Sequence, residues 1–171
     1  MNSSLRDRIN SKIRIVPNFP RHGILFKDVT PLIADSDLLL DMCQAMIPKV
    51  RIDKVAGIES RGFIFGSIIA SMLNVGFIPI RKKGKLPPPT ISQEYKLEYG
   101  ESCLEISTGI LNPNENVLVV DDIIATGGSA NAAIQLISQL GSNVVGVSVL
   151  IEIQNLGGRE ALSRIPLWNV L

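Results

Sequence analysis

Val117-Leu118-Val119-Val120-Asp121-Asp122-Ile123-Ile124-Ala125-Thr126-Gly127-Gly128-Ser129 is the stretch on which the reading of this sequence turns. The apolar run predicts a strand over Asn116 to Val120 that is covered on both faces. Two carboxylates follow at its end, and then small residues that open a helix over Ser129 to Leu140. Gly127 and Gly128 let backbone approach a ligand, while the amides of the Ala125 to Ser129 loop and the Thr126 and Ser129 hydroxyls make a cradle for phosphate. Asp121 and Asp122 only accept hydrogen bonds, which suits a vicinal diol or a hydrated divalent cation. A phosphorylated sugar satisfies both halves of the motif.

The plain alternative is a capped helix after a turn with two solvated aspartates, and the buried strand directly before the aspartates weighs against it. A P-loop NTPase also places aspartate after an apolar strand, but neither GxxxxGK[ST] nor GxGxxG occurs in the chain.

Outward from this stretch the pattern alternates. Lys54 to Ile58, Gly76 to Ile80 and Val144 to Ile151 read as strands, and Gly62 to Leu73 as a helix. Upstream, Leu5 to Ile13 reads as a helix, Val16 to Gly23 as a proline-broken connector without regular structure, and Leu38 to about Ile47 as a helix capped by Asp37 and stopped by Pro48. The alternation predicts an α/β fold: a doubly wound, mostly parallel sheet flanked by helices. Ligands bind beyond the carboxyl ends of such strands, so the residues after Ile58, Ile80 and Val120 are the places to look.

Composition narrows the function. The 171 residues are 46% hydrophobic and 19% charged, enough to build one cored domain with an extension and far from disordered or collagenous chains. Lys+Arg 17 against Asp+Glu 16 leaves no global field for nucleic acid or an anionic membrane, so an anion must be bound by a local constellation. Gly62 to Ile80 and Ile123 to Ile151 are uncharged, yet Asn74-Val75-Gly76, Pro79, Thr126 to Ser129 and Gly141-Ser142-Asn143 interrupt them, so neither reads as a membrane span. Met1 to Ile13 lacks the apolar run of a secretory signal. Cys43 and Cys103 form no CxxC or zinc pattern and read as unpaired thiols of a reducing cytoplasm.

Three more segments carry chemistry. Gly57 to Phe63 is a strand, a turn and a helix start with one fixed cation; Ser60, Arg61 and the turn amides suit a pyrophosphate, and an ordinary strand-to-helix turn is the alternative. Arg81, Lys82, Lys83 and Lys85 put four cations within five positions after a strand, either as an anion site or as a solvated face. Gly84 to Gly109 is too long and polar for a simple connector and reads as a lid, stiffened by Pro87-Pro88-Pro89 and carrying Glu94, Tyr95, Glu98 and Tyr99. Phe26, after Gly23, is either core or a stacking platform for a flat base.

The ribose-phosphate stretch resembles that of the type I phosphoribosyltransferases, which use 5-phosphoribosyl 1-pyrophosphate (PRPP). Together with Asn18-Phe19-Pro20, Gly23 to Leu32, Glu59 to Phe63, Arg81 to Pro87 and Leu97-Glu98-Tyr99-Gly100, taken in order, the chain is similar to the adenine phosphoribosyltransferase family. Glu59, Lys27 and Pro88 depart from residues common in that family. The resemblance implies one domain over residues 1–171, with an N-terminal hood and base-binding segment at about 1–35 and a lid loop at about 84–109. It implies transfer of the phosphoribosyl group to adenine, with Phe26 stacking on the base and the backbones of Leu25 and Lys27 reading its edge. Ser60, Arg61, Lys82 and Lys85 would then serve pyrophosphate, and Arg81 would reach a neighbouring subunit of a homodimer. Asp121 and Asp122 would hold the ribose hydroxyls, and Ala125, Thr126, Gly127, Gly128 and Ser129 the 5′-phosphate. Glu98 would be the acid/base residue, beside Tyr99. Mg2+ would arrive on PRPP, linked to Asp121 or Asp122 at most through water. A transferase for another purine, or a non-catalytic PRPP sensor, are the competing readings; too few residues precede Phe19 for a DNA-binding module.

Overall fold

The computed structural model describes residues 4–19, 21–96 and 101–171. The chain divides into two units, Met1–Ala45 and Met46–Leu171.

In the first unit, α1 (Leu5–Lys12) starts at a reciprocal cap: the Ser4 hydroxyl accepts from the Asp7 amide at 3.2 Å, and the Asp7 carboxylate accepts from the Ser4 amide at 3.1 Å. The proline-rich connector is more regular than expected. β1 (Arg14–Pro17) and β2 (Leu25–Asp28) form an antiparallel pair, with Pro17 opposite Leu25 at the end of the ladder, a place where its missing N–H is tolerated. α2 (Thr30–Ile33) and α3 (Ser36–Ala45) follow. Asp35, not Asp37, caps α3: its Oδ1 accepts from the Leu38 amide at 3.0 Å, while Asp37 lies in the first turn.

The second unit is built on a sheet whose strands and helices run β3 (Lys54–Ile58), α4 (Arg61–Leu73), β4 (Gly76–Lys82), β5 (Thr90–Lys96), β6 (Glu101–Ser107), β7 (Asn116–Ile124), α5 (Gly128–Gln139), β8 (Asn143–Glu152), α6 (Gly158–Ala161) and β9 (Leu167–Asn169). The strand order is β5-β6-β4-β3-β7-β8-β9. The five strands from β4 to β9 in that order are parallel, and β6 runs antiparallel to both β4 and β5. Ala56, Ile58, Val117 and Val119 pack on one face in a core with Ala133, Leu136 and Ile137 of α5. α4 covers the opposite face, where a Cβ on Gly57 would lie 2.8 Å from the Gly62 carbonyl oxygen. Each fully buried Val, Leu or Ile in such a layered core contributes ~1.5–3 kcal/mol.

Several elements run differently from the sequence reading. β7 continues to Ile124 and β4 to Lys82, because pairing with β8 and β6 carries polar residues along. Much of the segment read as a lid loop forms the β5–β6 hairpin. After β8 the chain adds α6 and an edge strand, β9, parallel to β8. Among the described residues no helix is long and apolar enough to cross a membrane.

β3 is flanked by β4 on one side and β7 on the other, so the chain's direction of travel across the sheet reverses beside it. The carboxyl ends of β3 and β7 therefore border the crevice where doubly wound sheets take their ligands.

Candidate active site

Two loops meet at that crevice. Beyond β3, the chain turns through Ser60 into α4, with the Glu59–Ser60 peptide cis. At the end of β7, Asp122 is buried and its carboxylate pairs with the Arg61 guanidinium, joining the two loops. Asp121 Oδ1 accepts the Asp122 amide at 2.9 Å. A Cβ on Gly62 would meet the Val120 carbonyl at 2.6 Å and Asp121 Oδ1 at 3.1 Å, so only glycine lets α4 begin this close to the aspartates. Burial pushes the Asp121 carboxyl well above its ordinary value, and the Asp122 charge adds to the effect, against a smaller opposing pull from Arg61.

The loop from Ala125 enters α5 at Gly127, whose φ of 79° is left-handed and which offers no side-chain cap. The first amides of α5 have no side-chain cap, an arrangement that suits an anion. The reason for glycine at 127 differs from the sequence expectation. A Cβ there would lie 2.8 Å from the Gly158 carbonyl oxygen and 2.9 Å from the Ala161 Cβ, so the residue packs against α6 rather than leaving room for ligand. Gly157 and Gly158 also line a cavity of about 310 Å³ at the end of β8, with Glu152, Asn155 and Arg159. The sequence reading passed over this segment, although its Gly157-Gly158 pair was a signal of close approach.

The cationic turn after β4 is organised by acids. Arg81 Nε donates to Glu59 Oε2 at 3.2 Å and its Nη1 to the Lys85 carbonyl at 3.0 Å, so the guanidinium expected to reach a partner subunit is engaged within its own chain. Lys82 and Lys85 have exposed side chains. Burial raises the Glu59 carboxyl, but the Lys82 amide, at 3.0 Å, and Arg81 outweigh it and hold the group below its ordinary value.

The residues expected to bind the base belong to the first unit. Phe26 sits on β2 and meets Phe19 edge to face, with centroids 5.1 Å apart at 72°. Leu25 is 69% exposed, and Lys27 lies opposite Ile15 in the hairpin. Glu98 and Tyr99 lie outside the described residues. Among the described residues, no three His, Cys, Asp or Glu side chains gather as a metal site. Two adjacent carboxylates, one already held by Arg61, fit an ion that arrives on the phosphates of a substrate.

Residues 48–166 match the phosphoribosyl transferase domain, and this sheet with its strand-end loops is of that class. An adenine phosphoribosyltransferase of Dinoroseobacter shibae is 50% identical over 165 residues, covering 95% of this chain and 92% of the relative. The crystal structure of adenine phosphoribosyltransferase from Rhodothermus marinus superimposes with a TM-score of 0.92 at 44% identity, covering 99% of both chains. The Saccharomyces cerevisiae enzyme, in complex with D-2,5-dideoxy-2,5-imino-altritol 1,6-bisphosphate and adenine, matches with a TM-score of 0.92 at 39% identity over 98% of both chains. The chain belongs to the adenine phosphoribosyltransferase family.

Proposed function

We propose that this protein transfers the 5-phosphoribosyl group of PRPP to adenine, forming AMP and releasing pyrophosphate, a purine-salvage reaction. The observation that carries the reading is the paired aspartates at the end of β7, joined through Arg61 to the β3 loop and followed by the uncapped start of α5. Acceptors for a diol, amides for a phosphate and a cation for a second anion thus lie along one sheet edge.

In the reaction the bond from the ribose C1 to a pyrophosphate oxygen breaks, and a bond to an imidazole nitrogen of adenine forms, through an oxocarbenium-like transition state. The Ala125 to Ser129 loop holds the 5′-phosphate. Asp121 and Asp122 accept from the ribose hydroxyls, and their charge favours the positive ring of the transition state. Ser60, Arg61, Lys82 and Lys85 meet the departing pyrophosphate. Magnesium bound with PRPP supplies further neutralisation of that leaving group. Phe26 stacks on adenine, the Leu25 and Lys27 backbones read its edge, and Glu98 takes the imidazole proton while Tyr99 and the β5–β6 hairpin exclude water.

The same reading places the protein in the cytoplasm as a homodimer. Cys43 and Cys103 are unpaired, which suits a reducing compartment, and burial pushes the Cys43 thiol up to about 12, which makes it unreactive.

The test is pyrophosphate release from PRPP and magnesium with adenine, guanine, hypoxanthine or xanthine supplied separately. Release with adenine alone is expected. Release with another base would overturn the base assignment, and PRPP binding without release would leave a sensor.

A further inference from the structure

The turn after β4 presents the cations assigned to pyrophosphate, yet their own side chains do not hold it. Lys82, Lys83 and Lys85 are exposed and take part in no ion pair among the described residues. Four cations in five positions repel one another, so something else must fix the backbone that carries them.

Two acids distant in sequence do this. Glu105, on β6 and directly opposite Arg81 in the β4–β6 register, is 4% exposed. Its Oε1 accepts the amides of Lys85 and Leu86, each at 2.8 Å. Glu59 accepts the Lys82 amide at 3.0 Å and holds Arg81, which in turn donates to the Lys85 carbonyl at 3.0 Å. The Lys83 amide is bonded to the Cys103 carbonyl at 3.0 Å, and Gly84 reverses the chain at φ 82°. A carboxylate withdrawn from water carries a large desolvation cost, and a surface turn has no need of one. Nothing in the proposed chemistry uses Glu105 directly.

We infer that Glu105 is a positioning residue, which fixes the 82–86 turn through its backbone amides so that Lys82 and Lys85 form a ready-made pyrophosphate site, with Glu59 as the second anchor. Preorganisation of this kind removes the cost of ordering the turn when the anion binds. The inference rests on the reading of the turn as the pyrophosphate side of the site.

Calorimetric binding of magnesium pyrophosphate, together with steady-state kinetics, tests it. Glu105→Ala is expected to weaken magnesium pyrophosphate binding and raise KM for PRPP by about 10- to 100-fold, the scale on which small misplacements act. KM for adenine and kcat at saturating PRPP stay at the wild-type values. Glu105→Gln keeps an acceptor for both amides but loses the charge, and should weaken binding by about three- to tenfold. Ser148→Ala, which removes a buried hydroxyl donating to the Met46 carbonyl at 2.6 Å, serves as a destabilised control with unchanged affinities.

Wild-type pyrophosphate affinity in Glu105→Ala would overturn the inference, as would an equal loss in adenine affinity or in the control. If the alanine variant does not fold, unchanged affinity in Glu105→Gln overturns it and partial loss supports it. Because calorimetry needs no turnover, a wild-type protein that binds pyrophosphate but forms no AMP would defeat the proposed reaction and leave this inference standing. Absence of pyrophosphate binding by the wild type would defeat the inference.

Discussion

The end of β7 and the turn after β4 each gather two carboxylates, and the protein treats the two pairs in opposite ways. At β7, the Arg61 guanidinium pairs with Asp122, and burial with the Asp122 charge pushes the Asp121 carboxyl well above its ordinary value. Around the turn, burial also raises Glu105, but the amides of Leu86, Gly84 and Lys85 and the Arg81 charge outweigh it and hold the group low, as the Lys82 amide and Arg81 do for Glu59. The second pair is stabilised by the chain's own donors, since one oxygen of each carboxylate accepts two hydrogen bonds from the chain. The first pair carries more negative charge and more acceptor capacity than the chain neutralises. A diol or a cation arriving with a substrate would complete it, which is the contrast that the proposed division into binding site and scaffold rests on.

The contrast leaves neither pair available to take the proton that adenine must lose. Glu59 and Glu105 are engaged by backbone amides and Arg81, and the proposed reaction gives the aspartates to the ribose and proton transfer to Glu98. Glu98→Ala is expected to lower kcat by about 10²- to 10⁴-fold while calorimetry finds PRPP affinity unchanged. Unaltered turnover would shift the proton to Asp121, whose raised carboxyl is the alternative, and would break the division of labour between the two pairs.

Next in size is Gly127, the joint between the aspartate pair and α5. Its φ of 79° and the 2.8 Å approach to the Gly158 carbonyl both penalise a side chain, so Gly127→Ala should lower unfolding free energy by ~1–3 kcal/mol in urea titration. PRPP binding should weaken as the loop shifts. A variant with native stability and weakened binding would instead mean that the missing Cβ faces the ligand, as the sequence alone suggested.

That residue illustrates what was legible beforehand. The motif at 117–129 located a buried strand and the helix start that follows it, because Val and Ile runs buried on both faces read as a strand of a covered parallel sheet. The purpose of Gly127 was not legible, since α6 comes from a segment with no strong period of its own. Asp35 rather than Asp37 caps α3 because a cap depends on where the first turn closes, and boundaries shift by a residue or two. The β5–β6 hairpin was hidden in a polar segment whose pairing only register reveals. Glu105 was invisible for the same reason: it is a lone acid in sequence and becomes an anchor only when β6 lies antiparallel to β4.

The smallest expected effect reads the aspartate pair directly. A carboxyl whose pKa is raised on folding is protonated in both states at low pH; as pH rises, the unfolded chain releases its proton first, so stability is lost up to the folded pKa. Asp121 is in that position, because burial and then the Asp122 charge oppose its ionisation. Asparagine has nearly the same shape and does not titrate. Asp121→Asn should therefore match the wild type in Tm at about pH 4 and exceed it by a few degrees at about pH 8, while binding PRPP more weakly. Adding PRPP with magnesium should narrow the gap, since ligand bound by the native state stabilises the wild type more. A gap that closed as pH rose would mean that Arg61 already neutralises both aspartates, and the end of β7 would then be as complete without ligand as the turn after β4.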